Sequence, residues 1–469
     1  MSLPDDSSDV YIKPPGVRAS PTMGADALAK KARSLGIDIL TYTLGDLFPK
    51  PDEEKDIAGW LVQLKAAHKK DPANAIYAMW AKRSYAPPGG TEGLRAAAAY
   101  HFTRDTGITA TADDVRAGHG GKGTLTAAFR DLEKKEGRTV FLAGPGWPTN
   151  FDVFPTGTRI VEVATDGRGL MTVEQLKAKL AKYPNPDIIL INAPSNPTGA
   201  NYTPAEREAL LALIASDKHA AKATVVFDDP YGKLVFDEKG YDIATVLRRG
   251  PAEKALFEAG RLAVIRTASK EWGLADLRVG WIVTRNTALL TSVANCNSSE
   301  MGGVSGHDQD LLMAALHFGD SFIERTVAEL REKRAMLIAG VAKLKFAGME
   351  EPKATIYGWI DFSGLKDKFV PVSALRCEKA LEVLNDNERA KGGFTIRTPQ
   401  DMMRYLAYVA GICPVQGTPF YAPEGALGKA DWHVRFTFCG DKAELAEGIR
   451  RLQQAEALLD GAAAQKRKA

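Results

Sequence analysis

Apolar residues are unevenly spread along this chain. In its middle they collect into short runs, Thr139–Ala143, Asp187–Asn192, Thr224–Asp228, Leu262–Arg266 and Gly280–Thr284. The first four are nearly unbroken, which is the pattern of strands covered on both faces in a mainly parallel sheet. Between the runs the apolar spacing changes to a helical period, over Val173–Tyr183 and Pro204–Asp217. Thr203 precedes the second of these and Glu206 follows it by three residues, a capping box for the first free backbone N–H groups. Strands alternating with helices predict an α/β domain over about residues 55–320, a mainly parallel sheet flanked by helices.

Past a helical stretch at Ile323–Leu344 the rhythm changes. A strand-like run, Ala354–Phe362, is followed by helices near Ser373–Asn385 and Pro399–Ala410, a strand at His433–Phe438 and a last helix. This order predicts a smaller α+β domain. The first fifty or so residues have no core of their own and are expected to pack beside it, so that residues 1–54 and 321–469 form one unit.

Length agrees with two domains, since 469 residues exceed what one hydrophobic core organises. With 45% hydrophobic and 25% charged residues the chain reads as an ordinary soluble globular protein. A net charge of +3 argues against a nucleic-acid surface, and no apolar stretch is long enough for a membrane span. The basic end, Lys466-Arg467-Lys468, is expected to be a solvated tail. Cys296, Cys377, Cys413 and Cys439 form no CxxC pair and do not cluster with histidines, so free thiols and no metal site are expected. The polar, acidic start, Met1-Ser2-Leu3-Pro4-Asp5-Asp6, is unlike a secretory signal, and the expected location is cytoplasmic.

Candidate chemistry gathers at the carboxyl ends of the strands, where ligands sit in open α/β sheets. After Leu262–Arg266 come Thr267-Ala268-Ser269-Lys270, then Arg278-Val279-Gly280. A lysine amine can form a Schiff base with an aldehyde, while Thr267 and Arg278 can hold a phosphate close by; pyridoxal phosphate offers both on one ring. Asp228 ends the buried run Thr224–Asp228, a costly place for a carboxylate unless it meets a cation such as a protonated pyridine nitrogen. Tyr231, three residues on, can reach the ring's phenolic oxygen together with Asn196. The loop Asn196-Pro197-Thr198-Gly199 reads equally as a generic turn. His119-Gly120-Gly121-Lys122 opens an apparent helix, Leu125–Leu132, and suits an anion cup made by Gly121 and Lys122. Trp147, in Gly146-Trp147-Pro148, can stack on a planar ring, and on this segment alone reads as well as a core tryptophan. Arg435, between Val434 and Phe436, needs an anion, which is a substrate carboxylate or an internal Asp or Glu.

Together with Leu44-Gly45-Asp46, Tyr85-Ala86-Pro87-Pro88-Gly89-Gly90 and Arg435-Phe436-Thr437-Phe438, these segments resemble the class I/II aminotransferases, fold type I pyridoxal phosphate enzymes, over nearly the whole chain. The resemblance implies an aspartate aminotransferase-like fold and pyridoxal 5'-phosphate as cofactor. It makes Lys270 the Schiff-base lysine and proton shuttle, with Asp228 on the pyridine nitrogen, Asn196 and Tyr231 on the phenolic oxygen, and Trp147 on the ring. Gly121, Lys122, Thr267 and Arg278 would hold the phosphate, and Tyr85 would reach the phosphate of a neighbouring subunit in a homodimer. Arg435 would clamp the substrate α-carboxylate in a pocket lined by Gly45. The implied reaction moves an amino group between an L-amino acid and a 2-keto acid. Relatives with the same skeleton also perform β- or γ-elimination, replacement or cyclisation, and the shared motifs do not separate these outcomes. A regulatory protein that keeps only the fold should have lost Lys270, Asp228 or Arg435, and all three are here. No second arginine marks a dicarboxylate substrate, and Tyr42, Tyr357 and Trp359 carry no signal beyond packing. The glycine-rich segment Cys296–Gly303 has no assigned role.

Overall fold

The computed structural model describes residues 10–15, 21–43, 59, 62, 85–134, 136–236, 246–421 and 431–466. Its strands are β1 (Val10–Ile12), β2 (Leu40–Tyr42), β3 (Val115–His119), β4 (Thr139–Ala143), β5 (Arg159–Val163), β6 (Ile188–Asn192), β7 (Thr224–Asp228), β8 (Leu262–Thr267), β9 (Val279–Thr284), β10 (Gly348–Met349), β11 (Tyr357–Asp361), β12 (Phe369–Pro371), β13 (Gly393–Thr395), β14 (Ile412–Gln416) and β15 (His433–Thr437). Eight of them form one sheet in the order β1-β5-β4-β6-β7-β8-β9-β3. The central strands β5, β4, β6, β7 and β8 pair in parallel. β9 runs against both β8 and β3, and β1 runs against β5. The five expected strands are therefore present and adjacent to one another or to the expected helices.

The unbroken apolar runs have a direct cause. Along β7, Val225 and Phe227 enter one buried cluster while Val226 enters the cluster on the other face. The first face is covered by helices Val173–Lys182 and Pro204–Ser216, through Leu176, Leu180, Leu210, Leu211 and Ile214. Helices Gly120–Phe129 and Thr287–Cys296 cover the second through Leu125, Phe129, Leu290 and Val293. The helix Pro204–Ser216 starts as expected, with Thr203 and Glu206 satisfying each other's backbone N–H groups.

A second sheet, in the order β10-β11-β15-β14-β2, lies in the C-terminal part. β2 pairs in parallel with β14, and Ala25, Ala29 and Ala32 of helix Pro21–Ser34 pack against Tyr408, Cys413 and Val415. Residues 21–43 thus join this sheet. Val10–Ile12 differ from the expectation for the N-terminal segment: they pair with β5, and Tyr11 is buried in the large sheet's second cluster. The edge of β5 gains a backbone partner in this way.

Two helices also depart from expectation. The one expected at Leu125–Leu132 begins at Gly120 and ends at Phe129. Glycine is a poor helix former, so tertiary contact and not propensity decides this start. Ser373–Asn385 holds 3-10 turns at Val372–Ala374 and Glu378–Val383, broken by the extended Cys377, and Asn385 caps a short helix Asp386–Ala390. Among the described residues, no helix is long and apolar enough to cross a membrane.

β9 passes very close to the start of helix Gly120–Phe129. A Cβ on Gly280 would lie 2.5 Å from the carbonyl carbon of Gly120 and 2.8 Å from the amide nitrogen of Gly121. Both neighbours are backbone and cannot rotate away. Gly280→Ala should therefore lower the unfolding free energy by about 1–3 kcal/mol, the usual cost of overpacking. Chemical denaturation measures this, and an unchanged midpoint would mean that the two segments are not in contact.

Candidate active site

Strand order brings the singled-out residues to one edge of the large sheet. β3, β4, β6, β7 and β8 all run in one direction, so His119, Ala143, Asn192, Asp228 and Thr267 end at the same side. Asp228 is 3% exposed, and Asn192 Nδ2 donates to both its Oδ2 and its backbone oxygen at 3.1 Å. Asn150 adds a side-chain hydrogen bond. Burial and, after it, the neighbouring Asp229 carboxylate raise the carboxyl to about 7 against the opposing hydrogen bonds of the two asparagines. Asp229 lies 3.9 Å from Arg266, which is held on Glu271 at 2.5 Å. A carboxyl poised in this way gains stability from a cation placed beside it.

Lys270 is half-buried in the turn Ala268–Glu271 that follows β8 directly. Thr267 caps that turn: its hydroxyl accepts from Ser269 N and donates to Val279 O at 3.1 Å. Arg278 takes a left-handed conformation, φ 52°, and its exposed guanidinium reaches Gly120, where an added Cβ would be 2.6 Å from Nη2. Gly121 faces Thr267 across ordinary contact distance. The helix N-terminus at Gly120–Lys122 thus lies beside Thr267 and Arg278, and a helix start with a cation and a hydroxyl beside it favours an anion. Lys122 lies with its Nζ 5.5 Å from the centre of the Trp147 ring. Trp147 is half-buried against the core.

Arg435 approaches from the second sheet. Buried in β15, it donates from Nη1 to Asn196 Oδ1 at 3.1 Å and from Nη2 to Thr43 O at 2.9 Å. Its guanidinium lies 4.3 Å from the Tyr357 ring centre. Nε has no hydrogen-bond partner, and no carboxylate among the described residues pairs with this arginine. Asn196 is fixed in turn, since its amide nitrogen donates to Asn192 Oδ1 at 2.8 Å. One chain of contacts thus runs Asp228, Asn192, Asn196, Arg435. Tyr231 is buried, with its hydroxyl 3.2 Å from that of Tyr357.

Tyr85 is 95% exposed and touches none of these groups, while Gly45 lies outside the described residues. The segment near residue 300 is a π-helical turn, Asn297–Met301, that braces the site from behind. Asn297 Nδ2 donates to Pro88 O and Ala117 O, and Gly302 O meets the His119 ring at 2.9 Å. In the sequence Asn150 and Asn192 have no assigned role and Tyr357 reads as packing. Asn192, at a strand end four residues before Asn196, carried a signal of position; Asn150 and Tyr357 carried none.

The family profile described as aminotransferase class I and II matches residues 59–452. An aspartate aminotransferase of Streptomyces avermitilis is 25% identical over 453 residues, 93% of this chain and 94% of its own. An aspartate/prephenate aminotransferase of Thermus thermophilus is 23% identical, over 93% of this chain and 95% of its own. The crystal structure of the aspartate aminotransferase from Rhizobium meliloti superposes with a TM-score of 0.74 at 21% identity, covering 97% of this chain and 99% of that one. The Thermus thermophilus enzyme solved with maleate superposes with a TM-score of 0.69, also at 21% identity, over 93% of this chain and 97% of that one. The chain therefore belongs to the class I and II aminotransferases, and its fold is theirs. It is an aminotransferase, an enzyme that moves an amino group between an amino acid and a keto acid.

The raised carboxyl of Asp228 has a consequence for stability. A proton is held more tightly in the folded protein than in the unfolded chain, so this group's contribution is greatest in acid and falls as pH rises toward about 7. Asp228→Asn removes that dependence. In protein stripped of small molecules, the variant should match the wild type near pH 4 and exceed its melting temperature at pH 8. A gap that is constant across this range would show that Asp228 is ionised throughout.

Proposed function

We propose that the enzyme works with pyridoxal 5'-phosphate and an L-amino acid and 2-keto acid pair, in a cytoplasmic homodimer. The residues present fit that cofactor. The helix start at Gly121 and Lys122, with Thr267 and Arg278 beside it, suits its phosphate, and the enclosed Asp228 suits a protonated pyridine nitrogen. Tyr231 and Asn196 are buried beside the same edge, available to the phenolic oxygen, and Trp147 to the ring face. Lys270 would carry the cofactor. In this reading residues 55–320 form the cofactor-binding domain and residues 1–54 with 321–469 the small domain, apart from Val10–Ile12.

The observation that carries the substrate class is Arg435, a buried guanidinium with Nε unpartnered. A planar fork of this kind takes a carboxylate by two parallel hydrogen bonds. Holding the α-carboxylate there orients the substrate Cα–H toward Lys270. When bound, the cofactor supplies an electron sink for the charge left on that carbon. Lys270 Nζ would take and hold the proton from Cα, and Asp228 would be the ionised partner of a protonated ring nitrogen. Elimination and cyclisation draw no support, since the relatives named above, matched over 94% and 95% of their own length, are named as aminotransferases.

Tyr85 supports the shared site. An aromatic side chain 95% exposed on one chain, at the rim of the Pro87–Gly90 turn, suits contact with a partner copy. Lys270→Ala should abolish the visible cofactor band and turnover with 2-oxoglutarate, and Tyr85→Ala should impair turnover. Mixing the two variants should restore activity to about a quarter of wild type, the share expected if one hybrid site in each mixed dimer is intact and subunits assort at random. Amino acids that yield ammonia in place of an amino-group transfer, or a Lys270→Ala protein that still turns over, would refute the reading.

A further inference from the structure

Tyr357 opens β11, directly across from Thr437 of β15, and Trp359 faces Arg435 two residues on. Its backbone is held from below. Lys353 and Ala354 donate their amides to Gly199 O at 2.8 Å, and a Cβ on Gly199 would lie 2.7 Å from Tyr357 O. The loop that carries Asn196 therefore also fixes Tyr357. The side chain is buried, and its ring meets that of Tyr231 edge-on, centres 5.9 Å apart and planes at 80°. The two hydroxyls are 3.2 Å apart, and the Arg435 guanidinium lies over the Tyr357 ring.

A pair of buried hydroxyls leaves one question of direction, namely which of them donates. Burial and the neighbouring Tyr357 push the Tyr231 phenol upward, so it keeps its proton at neutral pH. The titratable and charged groups around it are Tyr357, Arg435 and Asp228. Tyr231 has one proton to give. If it gave that proton to Tyr357, nothing would remain for a ligand oxygen.

We propose that Tyr357 is a positioning residue, donating its hydroxyl proton to Tyr231 so that Tyr231 can donate to the cofactor's phenolic oxygen. The cation over the Tyr357 ring favours this direction, since it withdraws electron density from the phenol and makes its O–H the better donor. A hydrogen bond received by Tyr231 polarises its own O–H in the same sense, the ordinary cooperativity of a chain. The same ring thereby ties the substrate-side arginine to the cofactor-side tyrosine.

This inference rests on the cofactor reading above. A donor on the phenolic oxygen draws off negative charge and lowers the pH at which the visible band of the bound cofactor titrates. Tyr357→Phe keeps the ring beneath Arg435 and removes only the hydroxyl. Its band should titrate higher by on the order of half a pH unit, with cofactor affinity and melting temperature unchanged. Tyr231→Phe should raise the midpoint further, and the double variant should match Tyr231→Phe alone, because Tyr357 acts only through Tyr231. Tyr357→Leu, which also removes the ring, should in addition raise KM for an amino acid roughly tenfold. Additive shifts in the double variant, or no shift in Tyr357→Phe, would overturn the relay while the cofactor reading stands. A wild-type protein with no visible band on addition of pyridoxal phosphate would remove both.

Discussion

Arg435 places a full positive charge inside the protein with no negative charge beside it among the described residues. Burying an ion without a partner costs several kcal/mol even after relaxation. Two neutral oxygens, from Asn196 and Thr43, and the face of Tyr357 offset part of that cost and leave Nε unsatisfied. The surrounding architecture serves to keep this charge where it is. β15 sits at the centre of the second sheet between β11 and β14, while Asn196 belongs to a loop of the large sheet. The guanidinium therefore spans the two sheets, and its pull on Asn196 is passed through Asn192 to Asp228. In the proposed reading a substrate carboxylate would complete the pairing that the described residues leave open.

Beneath this line lies a layer of fully paired charge. Lys233 meets Asp105 at 3.1 Å and Asp320 at 3.2 Å, and Arg266 grips Glu271, which also accepts the Lys233 amide. Glu271 directly follows Lys270, and Lys233 comes two residues after Tyr231. The turn that carries the lysine and the turn that carries the tyrosine are thus bolted together by one carboxylate. The contrast between the two layers is informative. Lys233, Arg266 and Glu271 find ionic partners within the chain, whereas Arg435 pairs with no carboxylate among the described residues.

Much of this was legible in the sequence, for reasons that differ by element. The strands β4 and β7 read without error because burial on both faces demands unbroken apolar runs. The helix Pro204–Ser216 read well because its capping box is a local signal. Thr267, Lys270 and Arg278 could be placed together because strand, turn and strand follow within the 23 residues Leu262–Thr284, so spacing alone conveys proximity. What failed to show depends on distant contacts. Gly120 begins a helix because Gly280 packs against it, 160 positions away, and no window of sequence contains both. Val10–Ile12 join the large sheet through an edge that only the assembled fold creates. Tyr357 acquires meaning from two neighbours, Tyr231 and Arg435, that lie 126 and 78 positions from it.

The central claim is that the open valence of Arg435 is the substrate's. Arg435→Lys keeps the charge and loses the planar fork, so it separates binding from support. The decisive measurement is kcat/KM of this variant for an amino acid and for the corresponding amine without the carboxylate. The account predicts a fall on the order of a hundredfold for the amino acid, a far smaller one for the amine, and little change in melting temperature or cofactor affinity. A variant that unfolds readily yet keeps the wild-type kcat/KM would contradict it, and would make Arg435 a structural cation whose anion lies elsewhere in the chain.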